Sequence, residues 1–130
     1  MRRAASAPSA TRAVEPLIAL LNDPEWTVRK DVANALGLIG EARAVDPLLA
    51  RLANDEASWV RVLAAMSLGR IGDARAVPAL VRAMRDDDAL VHSSAAGALG
   101  DLGWKPKDDV ERQLSVKPQG LTADDDRVAG

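Results

Sequence analysis

Residues 28–40 have the sequence VRKDVANALGLIG, and the same pattern returns without a gap at residues 60–72 (VRVLAAMSLGRIG) and 91–103 (VHSSAAGALGDLG). Each copy carries apolar residues at the spacing of one helix face, and at least two alanines, which let neighbouring helices approach closely. Each copy ends in glycine, which readily lets a chain leave a helix in the left-handed conformation. A pattern that recurs in fixed register indicates a chain built from repeats of one unit.

A shorter pattern precedes each copy and completes the unit. The segments RAVEPL, RAVDPL and RAVPAL begin at Arg12, Arg43 and Arg75, and each opens a run of apolar residues at helical spacing. Each run has a proline, which we place in the first helical turn, where its missing N–H costs no hydrogen bond. These prolines are Pro16, Pro47 and Pro78.

The two patterns together predict an all-α fold, an α-solenoid of three helical hairpins. The hairpins are expected at residues 12–42, 43–74 and 75–103. We expect a flexible N-terminus over residues 1–11 and a mostly irregular C-terminal extension over residues 104–130. An acidic turn joins the two helices of each unit, and we expect an aspartate in each turn to cap the second helix. The turns are residues 22–24, 54–56 and 86–88.

The composition excludes several classes of protein. The chain has 130 residues, no cysteine, one histidine and a formal net charge of −2. It therefore has no disulfide scaffold, no thiol nucleophile and no multi-histidine metal centre. The small net charge gives no attraction to nucleic acid or anionic membrane, and no apolar run approaches the ~20 residues of a membrane span. We therefore expect the protein to bind neither nucleic acid nor membrane. We expect a cytoplasmic location, because no apolar segment follows Arg2 and Arg3.

The single histidine is the candidate for acid–base catalysis, and its place in the repeat favours a structural role. His92 stands where the first two units have Arg29 and Arg61. We expect this position to pair across repeats with an aspartate of the preceding turn, and the last unit to have histidine because one neighbour is missing. Ser93 points about 100° away from His92 around a helix, so adjacency does not make a serine–histidine pair. The aspartates considered are Asp23, Asp55 and Asp87.

Two acidic clusters, residues 86–88 and 124–126, are candidate sites for calcium or magnesium. Neither has the glycine and glutamate positions of an EF-hand loop. The first cluster fits helix capping better, and the second fits a solvated tail. We therefore predict no catalytic residue, no metal and no cofactor, in a protein that is not an enzyme.

The pattern V-R-x-x-A-A-x-A-L-G-x-I-G, followed by (E/D)-A-R-A-V, resembles the HEAT-like repeat of the phycobilisome-lyase type. The resemblance covers residues 12–103. It implies a right-handed solenoid of three HEAT-like hairpins whose second helices line the concave surface. The function that we expect from it is a non-catalytic protein–protein interaction module or scaffold. The alternatives are a subunit of a bilin lyase or chromophore-handling complex, and a fragment of a longer repeat scaffold.

By the same resemblance, twelve positions on the second helices are expected to line a partner-binding groove. In the central unit Val62, Leu63 and Met66 form an apolar spot, which Leu38 extends, where the other units are mostly polar. We interpret this spot as a contact surface, the alternative being a helix tilt that buries Val62 or Leu63. The twelve positions are Lys30, Asp31, Asn34, Leu38, Val62, Leu63, Met66, Arg70, Ser93, Ser94, Gly97 and Asp101.

Two features besides the groove bear on association. Trp26 and Trp59 lie near the starts of second helices, where we expect them to pack beneath the adjoining turn, with anchors at the groove edge as the alternative. Neither end of the solenoid has an obvious polar cap, so the ends must be covered by the terminal segments, another copy or a partner. We expect a protein partner, with a homodimer through the open ends or the apolar spot as a further alternative.

Overall fold

The computed structural model of the chain describes residues 9–105 and confirms the all-α solenoid. Over these residues it contains α-helices, two short 3₁₀ turns and no strand. None of these helices is long and apolar enough to cross a membrane. The helices are α1 (Ser9–Leu20), α2 (Trp26–Ile39), α3 (Val45–Asn54), α4 (Ser58–Ile71), α5 (Val77–Ala83) and α6 (Ala89–Asp101).

The helices form three stacked hairpins, α1–α2, α3–α4 and α5–α6. The second helices pack most extensively, α2 on α4 and α4 on α6, while α3 and α5 contact each other less. The 3₁₀ turns Ala42–Ala44 and Ala74–Ala76 lead from one hairpin into the next.

Aliphatic and alanine side chains fill the core, because small side chains let the second helices approach closely. In α4, Ala64 and Ala65 are fully buried. The Ser67 hydroxyl is buried beside them and donates to the Ala33 carbonyl oxygen of α2 at 2.6 Å, which satisfies the polar group. The largest fully buried side chains include Leu21, Leu36, Leu48, Leu68, Leu80 and Leu99.

The glycines predicted to end the second helices do so. Gly40, Gly72 and Gly103 have φ of 80°, 80° and 76°, in the left-handed region that glycine adopts without strain. The N–H of Gly40 returns to the Leu36 carbonyl, and that of Gly72 to the Leu68 carbonyl. α2 and α4 therefore end at the residue before their glycine, whereas α6 ends at Asp101, two residues before Gly103.

The prolines do not all lie where the pattern placed them. Pro47 and Pro78 lie in the first turns of α3 and α5, as predicted. Pro16 lies inside α1, because that helix begins at Ser9 and not at the repeat boundary. No glycine or proline interrupts residues 9–15, so the helix extends back beyond the unit that the repeat defines. The prediction was wrong for Pro16.

The aspartate caps follow the prediction in one hairpin of three. Asp88 is the N-cap of α6, and its carboxylate accepts from two backbone N–H groups of the first turn. The N-caps of α2 and α4 are instead Glu25 and Ala57, neither of which makes a side-chain cap. Asp23 and Asp55 lie two residues earlier and accept from the N–H of those N-cap residues at 2.9 Å. These two aspartates therefore shape the turn and do not cap the helix.

Candidate functional site

Arginine–aspartate contacts join each hairpin to the next and hold the second helices in register. Arg29 donates through Nε and Nη2 to the two carboxylate oxygens of Asp55, at 2.8 and 2.9 Å. Arg61 makes the same bidentate contact with Asp86, at 2.9 and 3.2 Å. The predicted pairing across repeats is present, but its direction was wrong, because each arginine reaches the turn of the following hairpin. Arg29 also contacts the preceding turn, because its Nη1 donates to the backbone carbonyl of Asp23 at 2.8 Å.

The contact between Arg29 and Asp55 is a buried ion pair. Arg29 is 4% exposed and Asp55 is 2% exposed. Burial raises the pKa of Asp55, but hydrogen bonds from Arg29 and the Ala57 N–H, with the charges of Arg29 and Arg51, outweigh burial and hold this pKa below its usual range. The hydrogen bond to Asp55 in turn raises the pKa of Arg29. This carboxylate is therefore ionised at neutral pH and is part of the scaffold beneath the second-helix face.

His92 occupies the equivalent position in the third hairpin without an acidic partner among the residues that the structure describes. Its ring is buried, and Nδ1 donates to the Met84 carbonyl, which can only accept. The Ser93 hydroxyl donates to the Ala89 carbonyl at 2.9 Å. The histidine and the serine thus bond to separate backbone carbonyls and form no nucleophile–base pair with each other.

The acidic turn of the third hairpin is occupied by protein contacts. Asp86 holds Arg61, and the hydrogen bond from the Leu90 N–H lowers the pKa of Asp88. Within residues 9–105 no group of three or more histidine, aspartate or glutamate side chains is arranged to hold a metal ion. The second acidic cluster, residues 124–126, lies outside the described residues.

Two grooves run along the second-helix layer and bring together ten of the twelve predicted positions. The first groove, between α2 and α4, has a volume of about 270 Å³ and contains four of them. The second groove, between α4 and α6, has a volume of about 330 Å³ and contains six. The first groove is lined by Lys30, Asp31, Asn34, Trp59 and Leu63. The second groove is lined by Met66, Arg70, Ser93, Ser94, Gly97, Ala98 and Asp101.

The two remaining positions, Leu38 and Val62, line neither groove. Val62 is 5% exposed, so it has no surface to offer a partner, and its assignment to the contact surface was wrong. The reason is that α4 packs against α2 on one side and α6 on the other, which buries a wider part of its circumference. Leu63 is half-buried against the core, Met66 is 37% exposed, and Leu38 is fully on the surface. Within the grooves the predicted apolar spot is therefore reduced to Met66 and the outer part of Leu63, while Leu38 is exposed outside both grooves.

Tryptophan adds apolar surface that the twelve positions did not include. Trp59 is 49% exposed and lines the first groove, and Trp26 is 42% exposed with the Lys30 Nζ 5.7 Å from the centre of its ring. The expectation that both indoles pack beneath the adjoining turn was wrong. The sequence signal for Trp59 was its position four residues before Leu63, on the same helix face.

The polar groups of the grooves balance in charge. Arg70 of the second groove donates to the Asn34 Oδ1 of the first groove at 2.8 Å, so this pair lies where the two grooves meet. Lys30 and Asp31 are 3.8 Å apart in the first groove. Asp31 and Asp101 thus balance the charges of Lys30 and Arg70. The described lining residues form no basic stripe of the kind that follows a nucleic-acid backbone.

The stacked hairpins define a class of protein, the α-solenoid built from helical repeats, in which neighbouring repeats share one continuous core. A family model for HEAT repeats matches residues 3–62 and again residues 45–128, and the two matches overlap in the middle hairpin. The chain belongs to the HEAT-repeat family. HEAT repeats commonly mediate protein–protein contacts, and the family generally consists of non-enzymatic scaffolds. No curated protein sequence matches the chain.

Proposed function

We propose that this protein is a non-catalytic binding module that holds a protein partner in the first and second grooves. The observation that carries the proposal is that the two grooves meet along one face and expose Trp59 and Met66 within a polar, charge-balanced surround. Apolar anchors rimmed by polar groups are the usual anatomy of a protein interface. The flexible thioether of Met66 adapts to an irregular partner surface.

The size of the exposed anchors is consistent with a contribution to affinity. Complete burial of a large apolar side chain is worth about 1.5–3 kcal/mol, so covering the exposed part of Trp59 or Met66 contributes on the order of 1 kcal/mol each. Two such anchors change a dissociation constant by roughly 30-fold. The Arg29–Asp55 contact keeps α2 and α4 in register, so the first groove is formed before the partner arrives. A groove formed in advance lowers the ordering cost of binding.

The partner is best identified by photocrosslinking from the groove. A photoreactive phenylalanine analogue at position 59 or 66 should capture the same protein. The analogue at Leu20, an equally exposed apolar residue of α1 in the other layer, should not. The variant carrying Trp59→Glu and Met66→Glu should lose binding without losing helical circular dichroism, whereas Leu20→Glu should retain binding. Equal capture from Leu20, or full binding by the double variant, would place the binding surface elsewhere.

Membership of the phycobilisome-lyase type of HEAT repeat is a finer proposal, and its support is the V-R-x-x-A-A pattern, which α4 has in full and α2 and α6 have in part. It offers a chromophore-handling subunit as the alternative function. A linear tetrapyrrole mixed with the purified chain would then show a shifted visible absorption band, and an unshifted band would remove this alternative. A cytoplasmic location is proposed with either function, in keeping with a chain that has no cysteine.

A further inference from the structure

The junctions between neighbouring second helices share a close backbone contact at equivalent positions. A Cβ atom at Gly37 of α2 would lie 2.3 Å from the Oγ of Ser67 of α4. A Cβ atom at Gly69 of α4 would lie 2.9 Å from the Cα and Cβ of Ala98 of α6. Each junction thus sets a glycine on the forward side of one helix against a small residue on the rear side of the next. The arginine–aspartate contacts lie at the same two junctions.

The C-terminal end of the described stack carries the forward half of such a junction. Gly100 of α6 is equivalent in the repeat to Gly37 and Gly69, yet it is exposed, and a Cβ atom there would meet no atom within 4 Å. His92 stands at the position of the two arginines, with its Nε2 atom making no hydrogen bond to a described residue. Gly100 is therefore open among the described residues, and the buried His92 keeps one ring nitrogen without a described partner.

The N-terminal end carries the rear half. Ala35 of α2 is equivalent to Ser67 and Ala98, which are at most 2% exposed, but Ala35 is only half-buried. Asp23 is equivalent to Asp55, and its Oδ1 accepts from the backbone two residues on, as in Asp55. The Oδ2 of Asp55 holds Arg29, whereas the Oδ2 of Asp23 accepts no hydrogen bond from the described residues.

We propose that copies of this chain stack head to tail, with α6 of one copy against α2 of the next. Gly100 would then meet the next copy's Ala35, and His92 would face its Asp23, which continues the internal junctions in the same register. The internal junctions place the aspartate 26 and 25 residues after the arginine, and at those distances from His92 the sequence has Pro118 and Lys117. A second copy supplies both the small residue and the carboxylate.

This interface is heterologous, since it joins two different surfaces of the same chain. A head-to-tail dimer still has one unused surface at each end, so the assembly grows with concentration instead of stopping at a dimer. Histidine is shorter than the arginine of the internal junctions and makes one contact where a guanidinium makes two. The junction between copies is therefore weaker than the junctions within one copy.

The experiment is sedimentation equilibrium of the full chain from ~10 µM to ~1 mM, a range that detects dissociation constants typical of weak association. The average mass should rise continuously above 13.7 kDa. Gly100→Leu adds a side chain into open space in the single copy but blocks the close approach, so it should hold the mass at 13.7 kDa. Gly97→Leu is the matched control, since Gly97 also has open space but lines the second groove, and it should associate as the parent does.

A gain-of-function variant tests the charged half of the junction. His92→Arg restores the residue of the internal junctions and should lower the concentration of half-association about tenfold, the effect of one close charge pair. Adding Asp23→Asn, which keeps the Oδ1 acceptor of the turn, should cancel that gain.

Three results would overturn the stacking proposal. The parent chain could remain at 13.7 kDa throughout, or its mass could level off at that of a dimer. Gly100→Leu could lower the thermal midpoint at the lowest concentration, which would mean that another part of the same chain already covers α6. Because Gly97→Leu fills the second groove and leaves the junction intact, failure of stacking and failure of partner binding are distinguished by the same pair of variants.

Discussion

The replacement Arg29→Met tests the central claim about how the hairpins are joined. It removes the bidentate contact with Asp55 and the donation to the Asp23 carbonyl, but keeps most of the aliphatic side-chain volume. The Asp55 carboxylate would stay buried with Arg51, at 3.1 Å, and the Ala57 N–H as its remaining partners. A buried charge that loses its main partner costs about 3–5 kcal/mol, and the surviving partners place this case near the lower end, at about 3 kcal/mol.

That loss is a large part of the total stability of a domain of this size, about 5–15 kcal/mol. Urea unfolding followed by circular dichroism should show a clear fall in the midpoint with an unchanged slope. The matched control is Arg61→Met, which breaks the equivalent contact with Asp86, where both side chains are 18% exposed. Solvent compensates part of that loss, so the control should cost about 1–2 kcal/mol.

A second replacement distinguishes two causes of the destabilisation, which are the lost attraction between the two charges and the burial of an unpaired carboxylate. In the variant carrying Arg29→Met and Asp55→Leu the unpaired carboxylate is gone, so stability should recover relative to Arg29→Met. The reasoning fails if Arg29→Met costs less than Arg61→Met, or if the double variant is the least stable of the three. Either result would mean that the contact with Asp55 does not hold the first two hairpins together.

Three further predictions follow from the same geometry. The pKa of Asp55 is lower in the folded than in the unfolded protein. Its contribution to the free energy of unfolding is therefore fully present above about pH 5 and is lost as the pH falls through the folded pKa. Asp55→Asn should flatten this part of the acid unfolding curve. Gly69→Val should destabilise by about 3 kcal/mol in urea unfolding, because its Cβ meets the backbone of α6 at 2.9 Å, whereas Gly100→Ala should raise stability by up to about 1 kcal/mol through helix propensity. Ser67→Ala should lower the free energy of unfolding by about 1 kcal/mol, because it removes the hydrogen bond to the Ala33 carbonyl. Equal stability of the variant and the parent in both thermal and urea unfolding would show that this bond contributes nothing.

The contacts that stabilise the stack also position the candidate site. The grooves lie between second helices, so their width depends on how closely α2, α4 and α6 pack. Gly37 and Gly69 allow that close packing, and the arginine–aspartate contacts keep neighbouring helices from sliding along one another. A variant weakened at either kind of contact should therefore lose groove binding before it loses its helices.

Much of the candidate site was predictable because groove-lining positions follow from helix periodicity. Ten of the twelve positions line the grooves, since residues on one face of a helix remain on one face in any packing of that helix. Val62 was misassigned because its burial depends on having a helix on each side of α4, which periodicity does not report. Trp59 was left out because the repeat pattern does not include its position, although its spacing from Leu63 places it beside the groove.

The sequence by itself determined the number of hairpins, their register and the ends of the second helices, because apolar spacing and left-handed glycines act within one helix or one turn. The tertiary structure decided which turn each arginine reaches. Arg29 bonds to the turn of the following hairpin because the stack brings that turn over its guanidinium, and a contact between residues 26 positions apart depends on the stacking of two hairpins. The same holds for Gly100 and Asp23, since only the stack of described hairpins shows that neither has a neighbouring hairpin among the described residues.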